Sequence, residues 1–198
     1  SGGALTASYA ELRNAGTANH GGYYSVQEIT TDEMCIAAKG GDWFDGGILI
    51  ELHQHTYNPT HAFVNGTWTQ TYNAIGTVNG KLGDGTLTPE ETSQARALRA
   101  YFYWRLLDLY GRVKVVTETN TDPPQATRQE VFNFVESELL AAIGISEVTP
   151  GMDLSNSLLA DGGNAYVINR YGALGILAKL YLNAEVYTGT AMWDKAEI

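Results

Sequence analysis

The stretch LRAYFYWRLLDLYGRVKVV, Leu98–Val116, decides the fold. Tyr101, Phe102, Tyr103 and Trp104 follow one another without a break. A helix turns by about 100° per residue, so four consecutive rings cannot share one face. The stretch therefore reads as core rather than as a flat binding platform. Leu98, Phe102, Leu106, Leu109 and Tyr110 line one side, and Tyr101 and Arg105 lie together on a flanking side. The expected element is a helix buried on more than one side within a layered helical array. Arg96, Arg99 and Arg105 then give solubility or pair with carboxylates on neighbouring helices.

The flanks carry start and stop signals. Thr88, Pro89 and Glu91 stand at the cap, N1 and N3 positions of a helix that runs to Gly111. Thr127 and Glu130 repeat the capping box and open a helix with Val131, Phe134, Val135, Leu139, Ala142 and Ile143 on one face. Upstream, Leu5, Tyr9 and Leu12 predict a short helix closed by Gly16, and YYSVQEITTDEMCI reads as a short helix or turn. Residues 37–59 read as an irregular excursion, with a short strand at ILIEL. Phe63, Trp68, Tyr72, Ile75, Val78 and Leu82 form a helical stripe ending at Gly83, which places Trp68 and Tyr72 in the core. A long connection, SEVTPGMDLSNSLLADGG, precedes a helix over about 165–186 with Leu174, Leu177, Ala178, Tyr181 and Leu182 inward. The final TGTAMWDKAEI opens a further amphipathic helix without a cap, so the chain is expected to continue in the intact protein. The small-large alternation before it resembles the junction between tetratricopeptide-like units.

Composition narrows the function. The 198-residue chain is 44% hydrophobic and 17% charged, with a net charge of −10. That charge argues against nucleic acid, whose phosphates need clustered Lys and Arg. The single cysteine, Cys35, forms neither an intrachain disulfide nor a multi-thiolate metal site. No apolar run is long enough to span a membrane, and the N-terminal SGGALTASYAELRNAG lacks the features of a signal peptide.

With the central helix read, the chain resembles the SusD/RagB family of outer-membrane glycan-binding lipoproteins. SQARALRAYFYWRLLDLYGRVKVV resembles the family's signature helix, with its Ala-x-x-Leu-Arg-Ala start and Leu-Tyr-Gly end. YSVQEITTDEM, GGDWFDGG with LHQHTYNP, TWTQTYNAIGTVN, TRQEVFNFVESELLAAI and YGALGILAKLYLNAEVYTGTAMWDKA follow in the family's order. Lys114 departs from the usual Pro, and Glu138-Leu139 from the usual Asp-Leu. The family's lipid-bearing cysteine has no counterpart, since Cys35 lies inside a folded segment. The resemblance implies a mostly α-helical fold of tetratricopeptide-like helix pairs with long excursion loops. It also implies that residues 1–198 are the N-terminal portion of a single SusD-like domain. The implied role is non-catalytic capture of oligosaccharide or peptide at the outer-membrane cell surface, as the lid of a SusC-like TonB-dependent transporter barrel. Membrane attachment would be through a lipid anchor that this chain does not carry, and no cofactor is implied.

Sugar recognition needs an aromatic face for the C–H side of the ring and polar groups for its hydroxyls. The excursion offers Asp32, Lys39, Asp42, Trp43, Phe44, Tyr57 and Asn58. The candidate glycan-binding residues are Asp32, Lys39, Asp42, Trp43, Tyr57 and Asn58. The competing reading of Trp43 is an anchor that ties the loop to the helices. His53 and His55 would share a strand face and, with His61, invite zinc, but no acidic residue at helical spacing completes a ligand set. Asn65 heads an Asn-Gly-Thr sequon at a predicted helix start, without functional meaning in a bacterial surface protein. Asp42, Asp45 and Glu51 are acidic loop residues of the kind glycoside hydrolases pair, but spacing does not fix their separation. No nucleophile elbow, phosphate loop or His-Glu-x-x-His helix is present. A plain helical-repeat scaffold for other proteins is the remaining alternative.

Overall fold

The computed structural model describes residues 3–17, 19–37 and 39–198. The helices in chain order are α1 (Thr6–Leu12), α2 (Tyr23–Glu28), α3 (Ile48–His53), α4 (Ala62–Gly83), α5 (Pro89–Tyr110), α6 (Arg128–Ile143), α7 (Arg170–Leu182), α8 (Ala184–Thr188) and α9 (Trp193–Glu197). A π-helical turn, Arg13–Thr17, follows α1, and a 3-10 turn, Asp45–Gly47, precedes α3. Among the described residues, β pairing is confined to two isolated bridges, Lys39–Asp42 and Lys114–Gln125. The fold is mostly α, built of tetratricopeptide-like helix pairs.

The chain divides into two compact units, Ala10–Ala74 and the residues up to Tyr9 together with Ile75–Ile198. In the larger unit α5 packs on α6, α6 on α7 and α8, and α7 on α9. Both capping boxes form: Thr88 accepts from the Glu91 amide and Thr127 from the Glu130 amide, and each Glu reaches back to its cap. Gly144 closes α6 at φ +88, the left-handed cap position that favours glycine. Leu98, Phe102, Tyr103, Leu106 and Leu107 are all buried on α5, together with Ala97 and Ala100. Burial on several sides explains why α5 needs rings at consecutive positions. Leu109 and Tyr110, expected on the same side, are half-buried at the end of the helix.

The arginines of α5 pair as expected. Glu138 of α6, only 4% exposed, accepts from Arg96 Nη2 at 2.8 Å and from Arg99 Nε at 2.8 Å. Arg99 Nη1 also donates to Asn79 Oδ1, and Asn79 Nδ2 donates to the Val116 carbonyl. Desolvating one carboxylate is costly unless its lone pairs are filled, and two guanidiniums fill them here. Arg105 instead lies over the rings of Tyr101 and Trp104.

Four expectations are corrected. ILIEL is helical as α3, not a strand: Leu49 and Leu52 are the buried pair at i, i+3, while Ile50 is exposed. A run of alternating and i, i+3 apolar residues satisfies both periods, and the helix wins by burying those two leucines on Ile29. The last long helix is shorter than 165–186. It starts at Arg170 with Asn169 as cap, breaks at Asn183, and leaves Leu182 59% exposed rather than inward. On α4 the buried seam includes Thr67, Thr71, Ala74, Ile75 and Val78. Trp68 and Tyr72 are half-buried instead, with ring centroids 4.9 Å apart. Thr71 enters the seam because its hydroxyl donates to the Thr67 carbonyl one turn back. The early helix also runs on from Leu12 into the π-helical turn before Gly16 is passed.

Candidate functional site

The candidate residues lie in the smaller unit, whose core is Ile29, Leu49 and Leu52 with Met34, Ile36, Ile48, Phe63 and Val64 packed around them. Residue 38, inside the expected excursion, lies outside the described residues. Lys39 and Asp42 close a tight turn, each donating its amide to the other's carbonyl at 2.9 and 3.1 Å. The chain takes positive φ at Trp43 (φ +61), returns to the right-handed region at Phe44, and is again positive at Asp45, Gly46 and Gly47 before α3 begins. Bulky residues rarely take such a φ, so the surroundings must hold Trp43 there.

A chain of rings supplies that hold. Trp43 meets His20 edge-on at 5.1 Å between centroids, and His20 meets Phe63 at 5.8 Å. Phe63 meets His61 at 5.9 Å, His61 meets Tyr57 at 6.2 Å, and Tyr57 meets His55 at 6.4 Å. Edge-to-face pairs at these spacings each contribute about 0.5–1.5 kcal/mol beyond burial. His61 is the buried member: its Nε2 lies 3.0 Å from the Ile48 carbonyl and therefore carries the proton, while Nδ1 has no hydrogen-bond partner among the described residues. Sequence reading missed His20 and Phe63 as supports. The only local signal is that His20 stands just before Gly21-Gly22 and α2.

The support leaves ring surface outside. Trp43 is 41% exposed and Tyr57 40%, and Phe44 is exposed beside them. The structure thus brings Trp43 and Tyr57 onto one ring network, with Trp43 both anchored and open. Asp32, Lys39, Asp42 and Asn58 are exposed. Asn58 Oδ1 is taken by the Thr60 amide and hydroxyl, which builds the turn into α4 and leaves its Nδ2 donor uncommitted. His53 and His55 do not share a strand face. His53 ends α3, and His55 Nε2 lies 2.7 Å from the Thr30 carbonyl. Among the described residues no group of three or more His, Cys, Asp or Glu is placed to hold a metal ion. Nor is any helix among them long and apolar enough to cross a membrane.

The larger unit has its own cleft of about 680 Å³, framed by Tyr9, Gln94, Asn164, Tyr166 and Asn169. The Tyr9 hydroxyl donates to Gln94 Oε1 at 2.8 Å and accepts from the Ile168 amide, and burial pushes its pKa up.

No profile of a known protein family matches the chain. Over 180 residues it is 27% identical to the starch-binding protein SusD of Bacteroides thetaiotaomicron, covering 88% of this chain and 30% of SusD. A laminarin-binding SusD-like protein superposes with a TM-score of 0.66 at 24% identity, over 92% of this chain and 39% of its own. The surface glycan-binding protein A of Bacteroides uniformis does so at 0.68 and 22% identity, over 92% and 42%. A SusD superfamily protein of Bacteroides vulgatus reaches 0.71 at 17% identity, over 98% and 40%.

The chain is similar to SusD and to SusD-like proteins over most of its length. It spans 30% of the length of the curated relative it matches, aligned with the N-terminal portion. The helical fold is what the solved structures share with this chain.

Proposed function

We propose that the chain is the N-terminal portion of a single SusD-like domain that captures glycan at the cell surface without cleaving it. The observation that carries this reading is the pair of exposed rings, Trp43 and Tyr57, fixed from behind by His20, Phe63 and His61. A sugar ring stacks its C–H face on an indole or phenol, and a pre-set ring loses little entropy on binding. Asp32, Lys39, Asp42 and the Nδ2 of Asn58 supply charged and amide groups for hydroxyls from the same unit. The names of the relatives, starch-binding and laminarin-binding, favour a glucan. On this reading the protein sits lipid-anchored on the outer membrane and closes over a SusC-like TonB-dependent transporter barrel.

Native electrophoresis through starch or laminarin tests the proposal, run beside an assay for reducing sugar. Retardation without released sugar supports it, and released sugar makes the protein a glycoside hydrolase. The exposed side chains Leu182, Val186 and Trp193 favour, as a second reading, a helical scaffold for another protein. Mobility unchanged by either glucan, with a protein partner bound, would select that reading.

A further inference from the structure

A shallow cleft of about 560 Å³ lies where α5 ends and α6 begins, lined by Tyr110, Arg112, Gln125, Thr127, Arg128 and Gln129. The segment between the helices folds back on itself. Lys114 and Gln125 form an antiparallel bridge, Ala126 donates its amide to the Val113 carbonyl at 2.8 Å, and Gln125 Nε2 donates to the Arg112 carbonyl at 2.8 Å. This clasp brings Arg112 and Arg128 to one cleft.

Neither guanidinium has an ion-pair or hydrogen-bond partner among the described residues. The carboxylates close by in sequence are engaged elsewhere: Asp108 accepts from the Tyr187 hydroxyl, Asp122 pairs with Lys114, and Glu130 closes the Thr127 cap. In a chain of net charge −10, two unneutralised arginines lining a cleft that contains no carboxylate are the exception. Arg128 is also held. A Cβ on Gly111 would stand 2.4 Å from its Nε, so the guanidinium lies against the bare Gly111 backbone, which is left-handed at φ +73.

We propose that this cleft binds a hydroxylated carboxylate of the uronic-acid type. The planar guanidinium fork matches a carboxylate bidentately, a geometry a lysine does not offer. Gln125 and Gln129 present amide oxygens for hydroxyls, since each Nε2 is already used, by the Arg112 carbonyl and by Asn133 Oδ1. Tyr110 supplies the ring at the edge. This site belongs to the larger unit and uses none of the residues assigned to glucan capture.

The test is titration of the 198-residue chain, followed by NMR chemical shift, with galacturonate, galactose and inorganic phosphate. Galacturonate is expected to bind about tenfold or more tightly than galactose, because only it carries the carboxylate. Arg112→Gln and Arg128→Gln are each expected to weaken it about fivefold or more. The Cβ position of Gly111 is set against Arg128, so the Arg112 variant is the second test should Arg128→Gln unfold. Equal binding of galactose, no binding of galacturonate, or binding untouched by Arg112→Gln would overturn the proposal. So would phosphate binding as tightly as galacturonate, which describes an anion patch without carboxylate recognition.

Discussion

His20 meets Trp43 edge-to-face, ring centroids 5.1 Å apart and planes at 89°. This contact holds an exposed indole still without covering it. Replacing Trp43 by Ala is therefore expected to weaken retention in a glucan gel by about tenfold, the scale of a lost aromatic stack. Its melting temperature is expected to stay within a few degrees, because the side chain is already 41% exposed. A large fall in melting temperature would make Trp43 a loop anchor alone.

His20→Ala tests the support separately. It removes no proposed ligand contact, so the expected result is weaker retention with unchanged ligand selectivity. Retention equal to wild type would show that the ring network has no part in presenting Trp43.

Phe102 is 1% exposed on α5. Phe102→Ala is expected to cost about 3–5 kcal/mol in chemical denaturation. A cost below roughly 1 kcal/mol would contradict burial of α5 on more than one side.

Glu138 carries the polar core. Glu138→Gln removes the negative charge that Arg96 and Arg99 share and turns one acceptor oxygen into a donor, and Glu138→Ala leaves Arg99 buried and without a carboxylate. Loss of one partner from such a cluster is expected to cost about 3–5 kcal/mol, measured by urea unfolding. Arg96 is the more exposed arginine, so Arg96→Ala is expected to cost less than Arg99→Ala.

Two pH effects have opposite signs. The Glu130 carboxyl is held below its usual 4.5 by hydrogen bonds from the Thr127 amide and hydroxyl. Its contribution is present above pH 4.5 and disappears as pH falls through the lower folded value, so Thr127→Ala should flatten the acid limb of a stability curve. Burial pushes Tyr101 up to about 12. That contribution is complete below pH 10.0 and is lost as pH rises through about 12, so tyrosinate absorbance from this residue should emerge late, with unfolding. Early ionisation in the folded protein would contradict its burial.

The capping boxes at Thr88 and Thr127 and the ringed helix were legible because their signals are local and spaced by a few residues. The pairing of Arg96 and Arg99 was legible as a need for carboxylates, though not as a single shared Glu138. ILIEL was misread because Ile48, Ile50 and Leu52 alternate while Leu49 and Leu52 also fit a helix. The ring network was invisible because Trp43 joins His20, and His20 joins Phe63, only through contacts distant in sequence. Of the site, the sequence showed which side chains had the right chemistry, and only the fold showed that Trp43 and Tyr57 share supports.

The most direct measurement is a glucan titration of wild type, Trp43→Ala and Tyr57→Ala, with reducing sugar followed in the same samples. The account predicts saturable binding by wild type, a loss of about tenfold in each variant, and no sugar released. Glucan affinity equal in all three proteins, or sugar liberated by wild type, would contradict it.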